Sequence, residues 1–488
     1  MAITSIIPAS NKVPRTYLKV SLGVGPRSSG EAPREVALFG NKTAAGTMAL
    51  ATETDCFSED EARVLAGAGS ELFLMAKVAI DTFPGVQLKL YAIAEAGTAA
   101  TGTIVFTGPA TSSGTVGVAV LGEDIEVPVA SADTATAIGA AVAAAINAKG
   151  DWPVTGVNAA GTVTLTAKNA GLRGNLVAVR ARVLAGTGVG VTPPVGGYLG
   201  GGATSDDPQA ALDAVATVRR RYLVAPYTDA AQLAKFKAHV DTEEEPLVGH
   251  RKWAIFGSLD TLGATTTVVT GLNFPRMQCV WQEKSDLTPG MLAAALAAQR
   301  SLEESSDTAH NFDSEVLTAL RPHFNKTDIP LPSELDSALN NGITPLSTSD
   351  ASEVFIVRSI TAKSKDQAGL PDYRVLDAHK VTVADEVADR FELAFGDRFA
   401  GFKADHDPPE GEAPAPLVVT PAMCEDLAFE ILDDCESEGL LASGSVEARK
   451  SEIFFELSTT SQGRFNGVVP IDVIELAHQF AVDVRQVG

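Results

Sequence analysis

Seven histidines and four cysteines are the side chains in this 488-residue chain best suited to covalent or metal chemistry. Cys56, Cys279, Cys424 and Cys435 stand far apart; no two form a CxxC pair, and none has a histidine at zinc-ligand spacing. Thiols so spread read as a protein made in reducing cytoplasm, without a disulfide framework. His239, His250, His310, His323, His379, His406 and His478 are scattered, with no H-E-x-x-H and no G-x-S-x-G motif. A Ser-His-Asp triad meets only in space, so a surface or core histidine is the plainer reading of each. The stretch "ALFGNKT" (37–43) starts like a phosphate loop and fails, because Asn41 separates Gly40 from Lys42. "GAGSE" (67–71) lacks the third glycine of a dinucleotide fingerprint and follows a helical pattern. "HDPPEGE" carries acids but no D-x-D-x-D-G calcium loop. No catalytic residue, cofactor site or metal ligand is assigned.

Charge excludes further classes. Thirty-eight Lys and Arg oppose 61 Asp and Glu, a net charge of −23. A phosphate backbone repels such a surface, and so does an anionic membrane, so neither nucleic acid nor membrane is expected as a partner. No run reaches the ~18 apolar residues of a spanning helix, and the first fifteen residues show no secretory pattern.

The elements that would have to position any site fall into several textures. Residues 96–203 hold five acids and five bases and are rich in Gly, Thr, Val and Ala. Short strands are predicted at "TGTIVFTGP", "TVGVAVLGEDIEVPVA", "GTVTLTAKN" and "NLVAVRARVL". One helix is predicted where Ile138, Val142 and Ile146 recur every four residues. This reads as an inserted β-rich domain. Around it the texture alternates strand and helix. Buried strands are expected at 35–40 and 87–94, one helix at 58–80, and strands again at "RYLVAPY" and "KWAIFG". An α/β core of 31–95 plus 204–345 follows. Residues 346–462 form a third unit, with strands at "EVFIVRSITA", "YRVLDAHKVT" and "SEIFFELSTT". Its helices are expected from Thr382, with Asp385 completing a capping box, and along the stripe Cys424, Leu427, Ile431, Cys435.

Residues 385–441 hold sixteen acids against three bases. They read either as a solvated helical face or as a surface complementary to a basic partner or a neighbouring subunit.

Both ends alternate strictly. Leu18, Val20, Leu22 and Val24 share one face of "TYLKVSLGV" and Tyr17 lies on the other; Phe480, Val482 and Val484 share one face of "QFAVDVRQV". Flexible linkers are expected at 25–34 and 463–470, and ten extended residues reach about 33 Å. Residues 1–30 thus form one arm with its linker and 463–488 another. Such strands either fold back on their own sheet or add to the sheet of a neighbouring copy.

Four segments carry a family resemblance. They are "GTAATGTIVFTG" running on to "DTATAIGAAVAAAINA" and "GTVTLTAKNAGLRGN"; "GGATSDDPQAALDAV" with "RYLVAPYTDAAQLAKFKAHVD"; "NNGITPLSTSDASEVFIVRSIT"; and "PDYRVLDAHKVTVADEVADRF". In order and spacing, over most of 97–400, the chain resembles the tail sheath proteins of contractile bacteriophages, Mu-like sheaths in particular. The end of the chain matches in pattern more than in letters.

The resemblance implies a multidomain α/β (α+β) protein. Its parts would be a core that is subtilisin-like by fold only, an inserted outer domain, and a C-terminal polymerisation domain with extended strand arms. It implies homo-hexameric rings stacked helically around a tail tube protein, with baseplate and tail terminator proteins as further partners, in the virion. The arms would add strands to neighbouring C-terminal domains, where Val354, Ile356, Val357, Ile453 and Phe455 are the expected receiving residues. A subtilisin-like hydrolase and a carbohydrate-binding adhesin are the alternatives.

Overall fold

The computed structural model describes residues 34–184, 186–409, 411–479 and 481–482. The first stretch runs β1 (Val36–Asn41), β2 (Glu53–Cys56), α1 (Glu59–Ala66), α2 (Glu71–Thr82) and β3 (Leu88–Ile93). Every residue of β1 is buried, as a continuous apolar run in a covered parallel sheet should be. The helix expected over 58–80 is two. Gly67 and Gly69 adopt φ of +86° and +71°, and a Cβ on Gly69 would meet the Trp152 carbonyl at 2.3 Å. Only glycine turns there freely. Ser58 and Ser70 then cap the two helices, accepting from the N–H groups of Glu61 and Phe73.

The inserted region follows: β4 (Ala99–Thr107), β5 (Gly114–Val120), β6 (Glu123–Val129), α3 (Ala135–Ala148), β7 (Val154–Ala159), β8 (Thr162–Ala170), β9 (Val179–Val183) and β10 (Gly190–Thr192). It forms two antiparallel sheets, ordered β10-β4-β8-β7 and β6-β5-β9. Ile138, Val142 and Ile146 are the buried stripe of α3, as the four-residue recurrence predicts.

The chain then supplies α4 (Gln209–Val215), β11 (Tyr222–Ala225), α5 (Ala230–Glu243), β12 (Trp253–Ser258), α6 (Leu262–Leu272), β13 (Met277–Trp281), α7 (Pro289–Glu303), α8 (Pro332–Asn340), β14 (Ile343–Thr348) and β15 (Val354–Ile356). Among the described residues these complete an eight-stranded sheet, β15-β14-β13-β12-β11-β1-β3-β2. Its six inner strands are parallel; β2 and β15 are antiparallel edges. Side chains alternate across it. Val36 and Leu38 face α2 and α7, while Ala37 and Phe39 face α4, α5 and α6. The alanine-rich α7 is buried from Pro289 to Ser301, a helix enclosed on all sides. The strand expected to open the third unit is thus β15, the edge of the core sheet, and position 346 falls inside β14.

The remainder comprises α9 (Ala378–Arg398), β16 (Lys403–Ala404), β17 (Val418–Val419), α10 (Pro421–Ser437), α11 (Ser445–Arg449), β18 (Phe454–Leu457) and β19 (Phe465–Val468). Two expectations fail here. No strand forms at "YRVLDAHKVT"; α9 begins at Ala378, with Asp377 as N-cap. Thr382 and Asp385 lie within α9 and are buried, so tertiary burial overrides the β-branched run Val381, Thr382, Val383. The 463–470 segment is not a linker throughout. Phe465–Val468 pairs with β18 in a hairpin, Phe454 opposite Val468 and Leu457 opposite Phe465. Gly467 is needed there, because a Cβ would stand 2.4 Å from the Phe455 ring. The predicted stripe of α10 is buried, and its Leu427, Ile431 and Cys435 pack with Val387 and Phe391 of α9 in a small separate core.

Candidate assembly surfaces

Both ends of the parallel sheet are filled with paired charge. At the carboxyl ends, the chain passes from β1 to β3 on one side and to β11 on the other. The gap between β1 and β11 is therefore the topological switch point, where open α/β sheets take their ligands. Here Arg173 of the inserted region fills it. Its Nη2 donates to Asn41, the last residue of β1, and to Asp206. Its Nε lies 2.9 Å from Glu71 Oε1, and its guanidinium carbon lies 4.5 Å from the centroid of Tyr227, just beyond β11. Asn41 in turn donates to the Ile93 carbonyl at 3.1 Å, and Asp206 accepts from Ala96 N at 2.7 Å. Burial pushes the Glu71 carboxyl above its ordinary range despite Arg173.

At the amino ends, arginines stand one or two residues ahead of four neighbouring strands: Arg34 before β1, Arg221 before β11, Arg251 before β12 and Arg276 before β13. They meet carboxylates of α9. Arg276 grips Asp385 with two nitrogens, at 2.6 and 2.7 Å. Arg221 stands 3.5 Å from Asp385 and 3.8 Å from Asp389. Arg251 reaches Asp389 at 2.5 Å, and Arg219 also donates to it. Arg34 joins Glu386 at 3.4 Å and Glu304 at 3.1 Å. Behind them Arg300 donates to Thr382 Oγ1 at 2.8 Å and lies over the Trp253 ring at 4.1 Å. Burial raises Asp389, but Arg221, Arg219 and Arg251 outweigh it and hold the carboxyl down to about 2. Asp385 is likewise held below its ordinary value against the cost of burial, chiefly by Arg276. The first turns of the acidic stretch are therefore an internal seam, not a solvated face.

The expected arm residues Tyr17, Leu18, Val20, Leu22, Val24, Phe480 and Val484 lie outside the described residues. Val482 is described and is 78% exposed. Of the expected receiving residues, Val354 and Ile356 are buried in a strand occupied on both edges. β14 pairs along one side. On the other, Ser314 N and Leu317 N donate to the carbonyls of Ile356 and Val354, each at 2.8 Å. Val357 donates to the Pro345 carbonyl at 3.1 Å. No edge is free there for another strand. Ile453 is buried and Phe455 half-buried in the β18–β19 hairpin. Phe455 N donates outward to Glu425 of α10 at 2.9 Å, which closes the β18 side. By antiparallel geometry Gly467, opposite Phe455, points its N–H and C=O away from the hairpin. Among the described residues no strand pairs with that edge of β19.

No family model matches the chain. Over 465 residues it is 23% identical to the Mu-like prophage FluMu tail sheath protein of Haemophilus influenzae, with 94% of each chain covered. The sheath tail protein of Desulfitobacterium hafniense superposes with a TM-score of 0.50 at 12% identity, over 91% of this chain and 97% of its own. That of Listeria innocua gives 0.48 at 12% identity, over 88% and 90%. The multidomain α/β fold is thus one found in sheath tail proteins. The family resemblance read from the sequence is borne out: over nearly its whole length the chain is similar to a Mu-like tail sheath protein.

Proposed function

We propose that this chain is the structural subunit of a contractile tail sheath. It polymerises as stacked hexameric rings around a tail tube and contracts to drive the tube through the host envelope. It is a virion component and not an enzyme. The observation that carries this reading is the similarity, over 94% of each chain, to a Mu-like prophage tail sheath protein; Arg173 at the switch point, where open α/β sheets take ligands, agrees with it. Its charge joins the inserted region to the core through Asn41, Glu71 and Asp206.

In this reading 31–95 plus 204–345 form the core, here taken as subtilisin-like in fold alone. What supports that is the run of six parallel strands between helical layers. Residues 96–203 are the outer domain, the part from α9 through the β18–β19 hairpin is the polymerisation domain, and 1–30 and the residues beyond β19 are the arms with their linkers. The tail tube, baseplate and tail terminator proteins are the partners. The arms add strands to neighbouring copies, and the unpaired edge of β19 is the receiving edge that the geometry favours over β15. Extended and contracted sheaths are two packings of the same rigid bodies, the second burying more surface between subunits, so release runs downhill. Electron microscopy of the purified chain tests the reading. Striated cylinders support it; dispersed particles under all assembly conditions contradict it.

A further inference from the structure

The segment that follows β19 packs back on its own chain. Val473 bridges to Leu441. The Ile474 carbonyl lies 3.3 Å from His379 Nε2, and Glu475 pairs with Lys380 at 2.5 Å. His478 then enters a polar notch: its Nδ1 lies 2.5 Å from Asp313 Oδ2, and its Nε2 lies 3.5 Å from Asp377 Oδ1. Asp377 is the N-cap of α9 and is held by Arg358 at 2.7 and 2.9 Å. Three residues further on, Ala481 and Val482 are exposed.

We propose that His478 is the anchor that fixes where the C-terminal arm leaves the subunit body, pinning the tail between the loop at Asp313 and the first turn of α9. The inference rests on the sheath reading for the arm's purpose, but the anchor itself is a property of one subunit. It moves the point of departure from the region of 463–470 to residue 479. The ten residues 479–488 can span about 33 Å when extended, which bounds the distance from His478 to the sheet they complete.

The groups around the imidazole come from every element packed on it: Asp313 from the loop after α7, Asp377 and His379 from the start of α9, Arg358 from beyond β15, and His310 across the same small cavity. Asp313 Oδ1, His379 Nδ1 and His478 Nε2 have no hydrogen-bond partner among the described residues. The cavity they share, about 10 Å³, has room for one water. Asp313 and then Asp377 push the His478 imidazole up to about 9, against burial and Arg358. A histidine raised in this way contributes fully below its unfolded value of about 6.5 and loses its hold as pH rises through about 9.

The test is cleavage of dispersed full-length subunits at Glu475 by a glutamyl endopeptidase, at pH 7 and pH 10. Rates are normalised to a free peptide of residues 471–482. Wild type is expected to be cut at least ~10-fold faster at pH 10 than at pH 7. His478→Gln is expected to be cut fast at both, with its melting temperature showing an intact body. His478→Lys, which keeps the charge, is expected to restore protection at pH 7. A wild-type rate that does not change with pH, or His478→Gln protected like wild type, or His478→Lys as labile as His478→Gln, would overturn the anchor. The readout needs no polymer: failure to form cylinders would sink the sheath reading and leave the anchor standing.

Discussion

Arg276 and Asp385 lie 109 residues apart in sequence and meet fork to fork, both wholly buried, with nitrogen–oxygen distances of 2.6 and 2.7 Å. One stands at the head of a core strand and the other on the helix that opens the C-terminal part of the fold. The pair ties the C-terminal part of the fold to the core sheet.

Replacing Asp385 by Asn should therefore be costly out of proportion to its size. It leaves the buried Arg276 and Arg221 short of a counter-charge, and breaking one partner of a buried pair costs ~3–5 kcal/mol. Denaturant unfolding of Asp385→Asn against wild type should show a loss of this order. A loss under ~1 kcal/mol would mean that the seam contributes specificity and little stability.

Acid should open the same seam. Asp389 has its carboxyl held down to about 2, below the ordinary value of about 3.9. A depressed carboxylate contributes stability that is present above its unfolded value and lost as pH falls through the folded one. Unfolding midpoints should hold down to about pH 4 and fall between pH 4 and 2. In Asp389→Asn that fall should be smaller, on a baseline already lowered. An acid limb identical in both proteins would remove Asp389 from the account.

Much of the fold was legible in the sequence, because burial of a parallel sheet writes itself as unbroken apolar runs. "EVALFG" and "KWAIFG" became β1 and β12, and Ile138, Val142 and Ile146 lined α3. The charge seam was missed, although it left a signal. "PREVALF", "RRRYLVA", "HRKWAIF" and "PRMQCVW" each set arginine just ahead of a strand. Read singly, these are polar turn residues; only the parallel order of β1, β11, β12 and β13 aligns them into one row. Thr382 and Asp385 have the spacing of a capping box, and spacing alone does not tell a helix start from a buried turn inside one. The placement of Arg173 was beyond reach, because its partners Asn41, Glu71 and Asp206 come from three separate segments.

Arg173→Leu should loosen the inserted region from the core. The variant leaves Asp206 without its guanidinium and lets Glu71 take up a proton, its carboxyl already being raised by burial. Limited proteolysis should cut near 95–98 and 203–206 several-fold faster than in wild type, while the core sheet stays intact. Equal cutting at those junctions would show that the antiparallel sheets hold the region without the arginine.

The most direct test of the central claim is negative-stain microscopy of three purified forms: the full chain, a form lacking residues 1–25, and a form lacking residues 479–488. The account predicts striated cylinders of stacked rings from the full chain and folded, dispersed subunits from either truncation. Long cylinders from both truncated forms would contradict it, because the rings would then be joined by something other than the arms.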